Sequence, residues 1–143
     1  MITDALLRVS EDQAVTTTAV STNTVDLGVA RDIGEGTALY MNFALTEAFA
    51  NGTSVTFEVI TSSSANLSTP TVIGSSAVLA TASLTLGKNV VVRLNPDIAG
   101  KGQRFIGARY TVVGTMNAGK VTADIVETIG DGQKYYASGF TVV

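Results

Sequence analysis

The strongest constraint on how this chain folds is the stretch Arg104 to Glu127, where residue character alternates with a period of two. Ile106, Ala108, Tyr110 and Val112 alternate with Phe105, Gly107, Arg109 and Thr111, so the first set shares one face of a strand. The alternation pauses at Gly114-Thr115-Met116-Asn117-Ala118-Gly119. It resumes with Val121, Ala123 and Ile125 on one side and Thr122 and Asp124 on the other. A loop of about six residues with Gly at both ends predicts a wide hairpin. An isolated two-stranded hairpin is only marginally stable in water, so both apolar sets need a second layer. The stretch reads as the core hairpin of an all-β domain.

The same period runs through the rest of the chain. Val25, Leu27 and Val29 make a short strand that ends in the turn cluster Arg31 to Gly36. Leu39, Met41, Phe43 and Leu45 mark a second strand, and Val55, Phe57 and Val59 a third, with Asn51-Gly52 turning between them. Ser62 to Thr71 is a polar loop, and Val72-Ile73 a brief edge strand. Ala77 to Leu86 and Val90 to Leu94 are strands joined by Gly87-Lys88-Asn89. After the turn Gly130-Asp131-Gly132, Phe140 to Val143 closes the chain as a last short strand. Near the start, Ser10-Glu11-Asp12-Gln13 fits a capping box and predicts one helical turn. Ala14 to Thr24 lacks periodicity and reads as an extended arm or an edge strand, which sets residues 1–24 apart as an N-terminal arm. The count is about eight strands with no long helical pattern, which predicts a β-sandwich of jelly-roll or Greek-key type. Closed-barrel and immunoglobulin-like arrangements stay open. No linker divides the 143 residues, so one domain is expected.

Composition narrows function by exclusion. The chain has no His and no Cys, so no Ser-His-Asp triad, Cys nucleophile or His-bearing zinc site can be assembled. Carboxylate chemistry remains, and Asp26, Asp32 and Glu35 cluster, as do Glu11 and Asp12. A glycosidase needs two carboxylates facing across a cleft, whereas acids in turns are usually solvated. No D-x-[DN]-x-[DN]-G calcium loop is present. No enzyme, cofactor or metal is therefore expected. Gly114 to Lys120 matches G-x-x-x-x-G-K, but the next place holds Val121 where magnesium would need Ser or Thr, and the residues beyond alternate as a strand. A net charge of −3 with scattered Lys and Arg argues against a nucleic-acid groove. No apolar run reaches the roughly 20 residues of a membrane span. Met1-Ile2-Thr3-Asp4 lacks a basic start and Ala5-Leu6-Leu7 is short for a signal sequence, so folding in the cytoplasm of the cell that makes the protein is expected. Charged residues are 15% of the chain, below the usual figure of about 25%. Together with a mean hydropathy of +0.34, this points to apolar surface covered in an assembly.

Several pieces resemble a known family. Ala19 to Gly28 (AVSTNTVDLG) continued by Val29 to Gly36 (VARDIGEG) is similar to the N-terminal part of tailed-bacteriophage capsid cement, or decoration, proteins. Thr69-Pro70-Thr71-Val72-Ile73 with the strands after it is similar to the same family, as is Arg104 to Tyr110 followed by Val121-Thr122-Ala123. The likeness covers most of the chain from its MITDALL start, and the tail after Glu127 has no match. The resemblance implies a jelly-roll protein that self-associates, binds the outside of the major capsid protein shell and reinforces it.

A structural, non-enzymatic capsid cement protein on the outer surface of the virion is therefore the leading expectation. It would be a homo-oligomer, a dimer or alternatively a trimer. Its expected capsid or oligomer contacts are Ile2, Leu6 and Leu7, apolar without an evident partner, and Asp26, Arg31, Asp32 and Glu35, charged on an expected rim. Leu6 and Leu7 folding back onto the protein's own core is the competing expectation. The alternative function is a carbohydrate- or receptor-binding jelly-roll module of a phage tail or fibre, with Tyr135-Tyr136 as its aromatic pair.

Overall fold

The computed structural model of the chain describes residues 3–30, 38–95 and 103–127. Among them the alternating stretches form ten strands. These are β1 (Arg8–Ala14), β2 (Ala19–Val20), β3 (Val25–Asp26), β4 (Tyr40–Asn51) and β5 (Ser54–Ser62), followed by β6 (Thr71–Ser75), β7 (Leu79–Ala80), β8 (Asn89–Arg93), β9 (Phe105–Val113) and β10 (Met116–Val126). One sheet has the order β1-β10-β4-β8 and the other β2-β9-β5-β6, with β3 also beside β9 and β7 also beside β5. Every pairing is antiparallel.

β2 and β3 share one edge of β9, and β6 and β7 share one edge of β5, so each pair is one interrupted strand. Eight positions remain, in the orders 1-8-3-6 and 2-7-4-5. First pairs with eighth, second with seventh, third with sixth and fourth with fifth, as when one long hairpin is rolled into two layers. This is the all-β jelly roll that the alternation predicts. The strand expected at 140–143 and the turn before it lie outside the described residues.

The stretch 104–127 is not a hairpin. β9 pairs with β5 in one sheet and β10 with β4 in the other, so Gly114-Thr115 is an arch that carries the chain between layers. Met116 to Gly119, expected in a loop, belong to β10. Asn51 to Thr53 forms a second arch, from β4 to β5. The two arches stack, with Met116 opposite Asn51, Val113 opposite Ser54, and Thr53 N donating to Val113 O at 2.8 Å. Local alternation sets which way side chains point. It does not choose the neighbouring strand, because ladder hydrogen bonds come from backbone that every residue shares.

The inward sets predicted for β9 and β10 do face a common core. Ile106, Ala108 and Tyr110 meet Val121, Ala123 and Ile125 in one cluster that also holds Met41, Phe43, Leu45, Val55, Phe57 and Val59. The rings of Phe43, Phe57 and Tyr110 lie 5.2 to 6.0 Å apart, tilted or edge to face. Burial pushes the Tyr110 hydroxyl well above its ordinary pKa, and it donates to Ser10 Oγ at 2.7 Å.

Ser10 and Gln13 do hydrogen-bond, at 2.7 Å, but not at a helix start. They lie on β1 across a bulge, and Gln13 Nε2 donates to Val20 O at 2.9 Å, which ties β1 to β2 in the facing sheet. A run suited to a capping box thus closes one side of the sandwich, because β10 offers residues 8–14 a ladder and an isolated turn offers them none. On the other side, Asn95 N donates to Ile73 O at 3.0 Å. Both open edges of the roll are partly tied. The helical turn lies earlier, as a 3₁₀ turn over Ala5–Leu7, where the Asp4 side chain accepts from Leu6 N and the Asp4 carbonyl from Leu7 N. Within 1–24, then, residues 8–14 and 19–20 are edge strands rather than a free arm. The stretch Ala77 to Leu86 is also shorter as a strand than expected. Only Leu79–Ala80 pairs, and a 3₁₀ turn at Thr81–Ser83 sends Leu84 into the core.

Candidate interaction surface

The expected contact residues separate. Leu6 stands 83% exposed, whereas its neighbour Leu7 packs half-buried against the core. The 3₁₀ turn causes the split, since it points successive side chains in different directions. Asp26 lies at the end of β3. Ile2, Arg31, Asp32 and Glu35 lie outside the described residues.

Leu6 and Asp26 belong to the same end of the roll. Arg8, at the start of β1, is opposite Asp124, near the end of β10, while Val25 is opposite Ile106 at the start of β9. Asn23 N donates to Val9 O at 2.9 Å and joins the two edges there. Val29, 57% exposed, follows Asp26 at this end; the sequence placed it on a strand with Val25 and Leu27 and not among the contacts, but β3 stops at Asp26. The apolar Val29 side chain among turn residues was the available signal. Val113 and Leu86 are also exposed, but they occupy the arch and turn region at the opposite end.

Asp26 is not a free rim charge. Arg104 reaches it with a fork, Nε to Oδ1 at 2.7 Å and Nη2 to Oδ2 at 2.8 Å, and Gly28 N donates to Oδ1 at 2.8 Å. The Arg104 guanidinium also sits 5.0 Å over the Phe105 ring. The Arg104 hydrogen bonds first, and the Gly28 amide second, hold the Asp26 carboxyl at about 2 against an ordinary 3.8. Because the folded-state value is depressed, the stabilisation is present above 3.8 and is lost as pH falls toward 2. Arg104→Ala is expected to return the Asp26 titration toward 3.8, read by NMR of the carboxyl carbon. An unmoved titration would mean that the Gly28 amide holds the charge alone.

Both outer faces carry paired charges. On the face formed by β5 and β9, Glu58 accepts from Arg109 at 2.7 and 3.1 Å and from Thr111 at 2.7 Å, and these bonds, led by Arg109, lower its pKa. On the opposite sheet, Arg8 Nε donates to the buried Asp124 carboxylate at 2.8 Å, and Lys120 stands 4.0 Å from both Asp12 and Glu47. Among the described residues, no three acids gather as a metal would require. No helix there is long and apolar enough to cross a membrane. The surface carries paired charges on both faces, with exposed apolar side chains at the two ends and at Val91 in the middle of β8.

The geometry defines an all-β jelly-roll scaffold with exposed apolar side chains at its ends. Comparison with protein families matches residues 9–125 to the Bbp16 family, and the chain belongs to that family, whose name marks it as phage-related. No curated protein matches the chain.

Proposed function

We propose that this protein is a capsid cement protein, which binds the outside of a phage head and stabilises the major capsid protein shell. The observation that carries this reading is the extent of the family match. Residues 9–125 coincide with the roll from β1 to β10, so what the family shares is the whole scaffold. A rigid roll with salt-bridged faces and apolar side chains at its ends suits a clamp between subunits. As a homo-oligomer, a dimer or a trimer, it would engage several capsid subunits at once, and a modest contact would gain from the raised effective concentration.

The test uses heads of the phage that encodes the chain, stripped of it and then mixed with the purified protein. The protein is expected to pellet with expanded heads and to raise the temperature at which they rupture. Leu6→Asp is expected to weaken pelleting about tenfold, which corresponds to one apolar contact of roughly 1.4 kcal/mol. Leu6 is the suitable probe because Val9 is fully buried, so removing residues 1–9 would damage the core as well. Protein that remains in the supernatant with expanded heads would overturn the reading. The alternative, a glycan- or receptor-binding module, has its aromatic pair Tyr135-Tyr136 outside the described residues. The Tyr110 ring is buried in the core, where it cannot serve as a sugar platform.

A further inference from the structure

The loop between β5 and β6, polar in composition, contains a buried side chain that lies outside the main core. Leu67 is 2% exposed, yet it is not part of the cluster between the sheets. It lies on the outer face of the second sheet. There Val72, Ile60 and Gly107 form one row across β6, β5 and β9, since Ile60 is opposite both Val72 and Gly107. Val59 and Ala108, one residue away, point into the core, which turns Ile60 and position 107 outward. Even so, Ile60 is fully buried. Gly107 is the notch in this row. A Cβ there would run into Leu67 Cδ1 and come within 2.8 Å of Ser21 Oγ.

Within the loop, Leu67 N donates to Ser64 O at 3.0 Å and Ser68 N to Asn66 Oδ1 at 3.1 Å, while Ser62, the last residue of β5, anchors it by donating from Oγ to Ser68 O at 2.6 Å and accepting from Ser64 N at 3.1 Å. Its backbone is left-handed at Leu67 (φ 55°) and at Thr69 (φ 43°), sparsely populated conformations that are rare for a β-branched residue. A segment with strained backbone, held by one apolar side chain in a notch and two hydrogen bonds to the Ser62 hydroxyl, can lift without breaking a strand ladder. We propose that residues 63–70 form a latch, held shut by Leu67 against Gly107, which opens while the jelly roll stays folded and uncovers the apolar row Val72–Ile60. Shut, this face of the sheet is polar and ion-paired. Open, it carries an apolar strip beside the Glu58–Arg109 pair.

The chain lacks cysteine, so single introduced thiols report opening cleanly. Ile60→Cys places a thiol under the latch, and Val59→Cys places one on the same strand facing the core. Under native conditions Ile60→Cys is expected to react with a maleimide at least about a hundredfold faster than Val59→Cys, because local opening is more frequent than global unfolding. Adding Leu67→Ala is expected to speed the Ile60→Cys reaction about tenfold beyond any change at Val59→Cys, since one buried leucine holds the latch. Adding Gly107→Ala, whose methyl displaces Leu67, should act in the same direction. Should either thiol variant fold poorly, amide exchange at Leu67 and Val59 in the unsubstituted chain gives the same comparison. Equal rates at positions 59 and 60, rising together with urea, would show that the loop opens only when the roll unfolds, and the latch would be refuted.

Discussion

Phe57→Ala is expected to destabilise the protein by about 3–5 kcal/mol, the range for removing a large aromatic side chain from a closed core. Phe57 is fully buried on β5, and its ring touches those of Phe43 and Phe49 on β4 and Tyr110 on β9, at 5.2, 6.4 and 6.0 Å. These strands come from both sheets, so the ring is a joint between layers and not the filler of one strand pair. The backbone around it is fixed by ladders on both sides and cannot collapse into the space. A domain of this size is stable by about 5–15 kcal/mol, so the variant would approach its unfolding threshold. Urea denaturation should show a lower midpoint with an unchanged slope. A loss below about 1 kcal/mol would mean that the site relaxes and the ring cluster is not the centre of the fold.

Gly114→Ala is expected to cost about 2–4 kcal/mol, from left-handed strain added to a backbone collision. Gly114 has φ 83°, and a Cβ there would lie 3.0 Å from Gly52 Cα and 3.3 Å from Thr53 N, on the stacked arch. These neighbours are main chain held by the ladder on either side, so they cannot swing away as a side chain would. Gly87 and Gly28 share the left-handed backbone, at φ 80° and 82°, with nothing within 4 Å of a Cβ. Their Ala variants therefore carry the strain alone, about 1 kcal/mol. Urea midpoints of the three variants separate the two contributions. Equal losses would remove the arch stack from the account of stability.

The faces of the strands were legible in the sequence because side-chain direction in a strand is a local property. Ile106, Ala108 and Tyr110, like Met41, Phe43 and Leu45, point inward as their alternation predicts. The connections were harder to read. Gly114 to Gly119 looks like a hairpin loop because two alternating runs close in sequence are usually paired, whereas here four residues of the interval join β10. Gly119 fits because a Cβ there would meet the Phe49 ring at 2.5 Å, a contact made by a residue far away in the chain. Ser10 and Gln13 were recognised as a pair and given the wrong partner structure. The Ser62 to Thr71 loop was read from its polar majority, which hides the one residue, Leu67, that packs.

At the candidate site, Asp26 and Leu6 do lie at the surface, but their circumstances were not legible. Nothing near Asp26 in the sequence announces Arg104, which stands 78 residues away. Leu6 and Leu7 are equivalent in composition, and only the turn they form sends one outward and the other against the core.

By itself, then, the sequence determined an all-β chain, the inward and outward residues of its main strands, and the exclusion of His and Cys chemistry. The tertiary structure decided which strands are neighbours, that the stretch from Arg104 to Glu127 is an arch between layers, and where the charges find partners. The physical reason is separation along the chain. Alternation is written within a few residues, but the contacts that close the roll, such as Tyr110 to Ser10 across 100 residues and Arg8 to Asp124 across 116, exist only once the sheets have stacked.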